Sequence, residues 1–223
     1  MLDNDFFRVA CLVVILIAPL FFKKLRTDTL NKFIFLFIGV SLLGESAPLI
    51  FKGYNLLYLS VLGLIQLIII SCLIYYETSK KTIPLVVSIG GILFFLLLYF
   101  TDWSSNVYFL GGINSSSGYP ILLHQFFDLY SVINLGLIVL VFTWLYHIVY
   151  REEIRILEIR RRYIFIFSFL IYAGGTFFMV AFGRIILPSF KEWYPLWSAI
   201  FYPIWLVFYL LLFFGILWRQ IRS

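Results

Sequence analysis

Long apolar runs alternate with short polar segments along the whole chain. A bilayer core takes about 20 apolar residues per helix. Seven runs come near that length: 6–22, 31–51, 55–76, 82–100, 125–149, 163–187 and 196–218. The first is short, and its Pro19 lies near the end, where a kink costs little. Pro48 and Pro203 fall inside runs two and seven and predict local bends there. No internal repeat is visible, and no soluble domain follows the last run. The pattern predicts an all-α fold: a seven-helix transmembrane bundle forming one polytopic domain over 1–223.

The polar connections orient this bundle. "KKLRTDTLNK", "ETSKK", "REEIRILEIRRR" and the terminal "RQIRS" fall on one side. "KGYN", "PSFKEWYP" and "TDWSSNVYFLGGINSSSGYPILLHQ", which lacks Lys and Arg, fall on the other. Basic loops stay in the cytoplasm. The N-terminus is therefore expected outside and the C-terminus inside, in a bacterial inner membrane or a plasma membrane. Trp103, Trp193, Trp197 and Trp218 lie near run ends, as do Tyr75, Tyr76, Tyr99, Tyr150 and Tyr163. Amphipathic rings favour the headgroup level, so these read as an interfacial belt.

Composition agrees with this pattern. Of 223 residues, 63% are hydrophobic and 13% charged, against roughly half and a quarter in a soluble domain. The net charge of +6 comes from clusters flanking apolar runs, which is no nucleic-acid footprint. Cys11 and Cys72 lie within apolar runs and offer neither a disulfide framework nor metal spacing. No removable signal peptide is expected, because Asp3 and Asp5 precede the first run and "KKLR" follows it.

Polar residues inside the runs are the exceptions that call for chemistry. Glu45, in "FIGVSLLGESAPLIF", is six residues before Phe51, about 9 Å below the outer end of run two at 1.5 Å per residue. Arg184 in run six is four residues before Pro188, about 6 Å deep. His124, Gln125, Asp128 and Asn134 occupy the outer half of run five, and Gln66 lies near the middle of run three. Intramembrane ionisable groups face the bundle interior or a water cavity, and pair. A Glu45–Arg184 ion pair is expected, with Asp128 as the competing partner for Arg184. Two readings stand beside a functional pair: a contact that only fixes helix packing, and an Arg184 that snorkels to the outer headgroups. The functional reading is an outward-facing ligand pocket lined by Glu45, Gln66, His124, Asp128, Asn134 and Arg184.

Two connections add to this. The long outer loop 101–124 exceeds usual connection lengths and carries the Gly, Asn, Ser and Pro content of turns, as a lid or a connector would. Asn114 opens an N-x-S sequon, relevant only to a eukaryotic secretory protein. The segment "REEIRILEIRRRY" reads as helix with an apolar side. It either lies on the membrane or extends runs five and six. Its Arg151, Arg155, Arg160, Arg161 and Arg162 form either a stop-transfer cluster meeting anionic headgroups or a docking surface for a cytoplasmic or membrane protein partner.

Other chemistries lack their residues. His124 and His147 stand at opposite ends of run five and cannot share a metal or haem. There is no P-loop, dinucleotide fingerprint or nucleophile elbow, and run seven has no Lys for a retinal-type Schiff base. No cofactor, metal or catalytic residue is assigned on these grounds.

The stretches "FIGVSLLGESAPLIF", "GLIQLIIISCLIYY" and "RRRYIFIFSFLIYAGGTFF" resemble small bacterial seven-helix membrane proteins, similar to the seven-helix input halves of sensor histidine kinases. That resemblance implies sensing or partner coupling, without the kinase's catalytic domain. "SLLGE" is similar to the Ser-x-x-Gly-Asp segment of lysoplasmalogenase-like membrane enzymes, which have eight helices. It would imply that Glu45 is a catalytic carboxylate. Here Glu replaces Asp, and "IYAGGTFF" lacks the second acid. The expectation is a non-enzymatic sensor or accessory subunit. A membrane lipid hydrolase using Glu45 and Asp128 is the alternative, and a channel or pore subunit the third reading.

Overall fold

The computed structural model describes the backbone of residues 9–10, 13–14, 17, 28–50, 56–78, 81–101, 119–150, 156–189 and 194–221. Side chains are described for 9–10, 13–14, 17, 28–44, 46, 61–78, 81–97, 131–150, 160–178, 199–200 and 203–218. Among the described residues the protein is all helical. Six helices follow one another: α1 Thr29–Ile50, α2 Leu56–Glu77, α3 Thr82–Thr101, α4 Tyr119–Tyr150, α5 Ile156–Ser189 and α6 Tyr194–Ile221. The expected first helix, 6–22, falls mostly outside the described residues.

Local chemistry sets the helix starts. Asp28 caps α1: its Oδ1 accepts from the backbone N–H of Leu30 at 3.0 Å and of Asn31 at 3.4 Å. These are donors that the first turn would otherwise leave unpaired. Pro84 lies in the first turn of α3, where its missing N–H costs nothing. Pro203 lies inside α6, and the helix continues through it to Ile221.

Helices α4 and α5 are longer than the apolar runs that announce them. The first begins at Tyr119 rather than 125, and the second at Ile156 rather than 163. Apolar run length measures what fits in hydrocarbon. The i to i−4 hydrogen-bond ladder carries on beyond the runs, through "YPILLH" in α4 and the charged "ILEIRRR" in α5.

Contacts between neighbours give alternating directions. Helix α2 packs on α1, α3 and α4, α3 also packs on α4, and α5 packs on α4 and α6. Asp28 and Arg161 meet, which places the starts of α1 and α5 together. Glu77 meets Arg162, bringing the end of α2 to the same place. Phe165 reaches α6 at Gly215, so the end of α6 lies there too. The bundle therefore has one end that gathers residues 28–32, 77–78, 81–82, 146–150, 160–163 and 215–218.

The core between α1, α5 and α6 is aromatic. Phe37, Phe169 and Phe208 are fully buried. Phe37 meets Phe169 edge-on at 5.2 Å, and Tyr172 stacks on Phe208 at 4.5 Å. Such pairs contribute about 0.5–1.5 kcal/mol beyond their buried area. Glycines permit close approach elsewhere. A Cβ on Gly91 of α3 would lie 2.7 Å from Leu67 of α2, and one on Gly136 of α4 would lie 3.2 Å from it. Leu67 is thus wedged between two helices at their glycines.

Among the described residues, many large apolar side chains are exposed. Along α3, Ile83, Leu85, Val86, Ile89, Leu93 and Leu97 are exposed, as are Phe142 of α4, Phe167 of α5 and Leu210 and Phe214 of α6. One helical segment among the described residues, Ser131–Tyr150, is long and apolar enough to cross a membrane. Thr29–Gly44, Val61–Glu77, Thr82–Leu97 and Pro203–Trp218 are shorter apolar helical segments.

Candidate functional site

The most developed polar site lies at the end of the bundle where α1, α2 and α5 converge. The buried stripe of α5 runs Arg161, Phe165, Ser168, Phe169, Tyr172 and Thr176, spaced three, four or one apart as one helix face requires. Arg161 therefore points inward with the aromatic residues. Its Nη1 donates to Asp28 Oδ2 at 2.6 Å and its Nη2 to Asn31 Oδ1 at 2.5 Å. The guanidinium also lies over the Phe165 ring, 5.6 Å from its centroid. Asp28 thus serves two helices at once, capping α1 with one oxygen and holding α5 with the other.

Arg162 turns about 100° away on the same helix and reaches Glu77, the last residue of α2, at 2.8 Å. Both side chains of the Asp28–Arg161 pair are nearly buried, at 11% and 7% exposure. Charges so enclosed are tolerated only when paired and hydrogen-bonded. Thr78 closes α2 beside them, its hydroxyl donating to the Ile74 carbonyl at 2.7 Å. Trp144 and His147 of α4 are also buried.

Two polar contacts lie deeper. Gln66 of α2 donates to Ser41 Oγ of α1 at 2.9 Å. Thr176 of α5 donates to Asn134 Oδ1 of α4 at 3.0 Å, and its hydroxyl also contacts the Tyr172 carbonyl. Gln66 and Asn134 are thereby used in joining helix pairs α1–α2 and α4–α5. They are not brought to each other by any described contact.

The remaining expected site residues fare differently. Glu45 lies on α1, His124 and Asp128 on α4, and Arg184 on α5, with their side chains outside the described residues. The helix register bears on the first pair. Counted from the Asp28–Arg161 contact, Glu45 is 17 residues along α1 and Arg184 is 23 along α5. The difference is about 9 Å in level at 1.5 Å per residue. Arg151 and Arg155 lie outside the described residues. Of the three consecutive arginines expected to face headgroups or a partner, only Arg160 is exposed. Arg161 and Arg162 are turned inward and sideways into ion pairs, because successive helical residues point in different directions.

Asp28, Asn31 and Glu77 are not among the polar residues that the pattern of spans and loops singles out. Asp28 stands immediately before a helix, as an N-cap does, and Arg161 falls on the apolar stripe of α5. Those two signals were available. Their meeting across 133 positions was not. Among the described residues no cluster of His, Cys, Asp or Glu could hold a metal. No protein family, characterised protein or solved structure matches the chain.

Proposed function

We propose that the chain is a seven-span integral membrane protein, N-terminus outside and C-terminus cytoplasmic, working as a non-enzymatic sensor or accessory subunit. The observation that carries this is the pair of adjacent arginines, Arg161 and Arg162, tying the ends of α1 and α2 to the start of α5. The exposed aliphatic surface of α3 supports the membrane part, since soluble monomers rarely expose large contiguous apolar patches.

The choice of charged residues supports the coupling part. Apolar side chains of similar volume hold helices at least as well as a buried ion pair. What a charged contact adds is a defined register that a competing charge can release. A ligand or partner that takes Asp28, Glu77 or either arginine changes how three helix ends meet. The outward pocket around Glu45, Asp128 and Arg184 would be the input side of the same device.

The test is purification in mild detergent of the wild type, Arg162→Gln and Glu77→Gln, with identification of retained proteins and lipids. The expected result is near-normal folding with loss of a specific companion molecule. Unchanged companions in both variants would sink the coupling role. The hydrolase reading predicts lipid turnover lost in Glu45→Gln, and the channel reading predicts bilayer conductance.

A further inference from the structure

We infer that the exposed rim at the charged end of the bundle, formed by Lys32, Lys81 and Arg160 with Tyr75, Tyr76 and Tyr150, binds anionic phospholipid headgroups selectively. The inference rests on the membrane-spanning reading and specifies which lipids that end requires.

Charge placement carries it. Among the described side chains, the acids are Asp28 and Glu77, and both are engaged by Arg161 and Arg162. The exposed cations that remain are Lys32 at the start of α1, Lys81 just before α3 and Arg160 on α5. These three belong to different helices that all begin at this end, so they encircle it. Among the described side chains, the inward ion pairs thus engage both acids and leave these three cations on the rim.

The surroundings select the partner. Tyr75, Tyr76 and Tyr150 are exposed beside these cations, at 43%, 65% and 71%. Lys81 Nζ lies 5.0 Å from the Tyr75 ring centroid, and Tyr146 packs on Tyr150 at 4.4 Å. The aliphatic exterior begins at once: Ile83, Leu85 and Val86 follow Lys81, and Phe167 is seven residues beyond Arg160. Cations and tyrosines bordering an aliphatic belt stand at headgroup level. A water-soluble acidic protein would not need that border, whereas a phospholipid satisfies both parts with its phosphate and its chains. Each such cation favours an anionic membrane surface about fivefold.

The full chain, purified in detergent, is titrated with dansyl-labelled phosphatidylglycerol and with dansyl-labelled phosphatidylcholine, and tryptophan-to-dansyl energy transfer is read. Preference for phosphatidylglycerol that weakens in high salt, and falls at least tenfold in the Lys32→Gln/Lys81→Gln/Arg160→Gln triple variant, is the expected result. Arg161→Gln should lower thermal stability in both lipids and, by leaving the Asp28 carboxylate uncompensated, also weaken the preference. Equal binding of the two lipids, or preference retained by the triple variant, overturns the inference. A chain that stays soluble without detergent and fails to associate with either lipid would instead overturn the membrane reading beneath it.

Discussion

Asp28 is the residue on which most rests. It caps α1 through Oδ1 and holds Arg161 through Oδ2. These roles separate by substitution. Asp28→Asn keeps a capping oxygen and removes the charge, so it should cost about 3–5 kcal/mol, the usual loss when one partner of a buried pair is removed. Asp28→Ala should cost about 1 kcal/mol more through the lost cap. Chemical denaturation in detergent checks both, and equal losses would show that the charge, not the cap, is all that Asp28 supplies. Arg162→Gln should cost less, about 1–3 kcal/mol, because Arg162 is itself 20% exposed although it leaves the 8% exposed Glu77 carboxylate without that guanidinium. At this scale the sequence was partly legible. Three consecutive arginines read as one basic cluster until their helical phase is known, and phase separates Arg160 outside, Arg161 inside and Arg162 beside α2.

Between helices, fit is governed by glycines and by paired polar groups. A Cβ at Gly215 would come within 2.7 Å of the buried Phe165 ring, which also carries the Arg161 guanidinium. Gly215→Ala should therefore destabilise by about 1–3 kcal/mol through overpacking. Gly39→Ala meets nothing within 4 Å and should change stability by about 0.5 kcal/mol or less. A comparable loss at Gly39 would mean that close packing does not set the effect at Gly215, since helix propensity alone favours Ala over Gly. The Gln66–Ser41 bond makes a second test. Ser41→Ala should cost about 1–3 kcal/mol by leaving the Gln66 amide without that acceptor, while Ser41→Ala with Gln66→Leu should recover most of it. Apolar runs announced these helices well. The early start of α4 is not announced by its apolar run, whereas that of α5 agrees with "REEIRILEIRRRY" read as a helix extending run six.

For the whole molecule, the membrane reading makes Cys72 a depth reporter. It is exposed on α2, five residues before Glu77, about 7.5 Å along the helix from the charged end. In a Cys11→Ser background, native membranes should protect Cys72 from a membrane-impermeant maleimide and leave it open to a lipophilic one. Rapid labelling by the impermeant reagent would mean that α2 faces water at this depth. The proposed topology separately predicts that an epitope at the C-terminus is unreachable from outside intact cells.

The sequence by itself determined the all-helical class, the placement of α1, α2, α3 and α6 within about three residues, and the basic side of the pattern. These follow from local quantities: apolar run length, cap residues and the order of charges along the chain. Only the tertiary structure decided which polar groups meet. Asp28 with Arg161, Glu77 with Arg162, Gln66 with Ser41 and Asn134 with Thr176 all join different helices. Their pairing depends on the relative rotation and stagger of packed helices, which Leu67 wedged at Gly91 and Gly136, and Phe165 against Gly215, help to set. Stagger is a property of two surfaces in contact, and a single run of residues does not encode it.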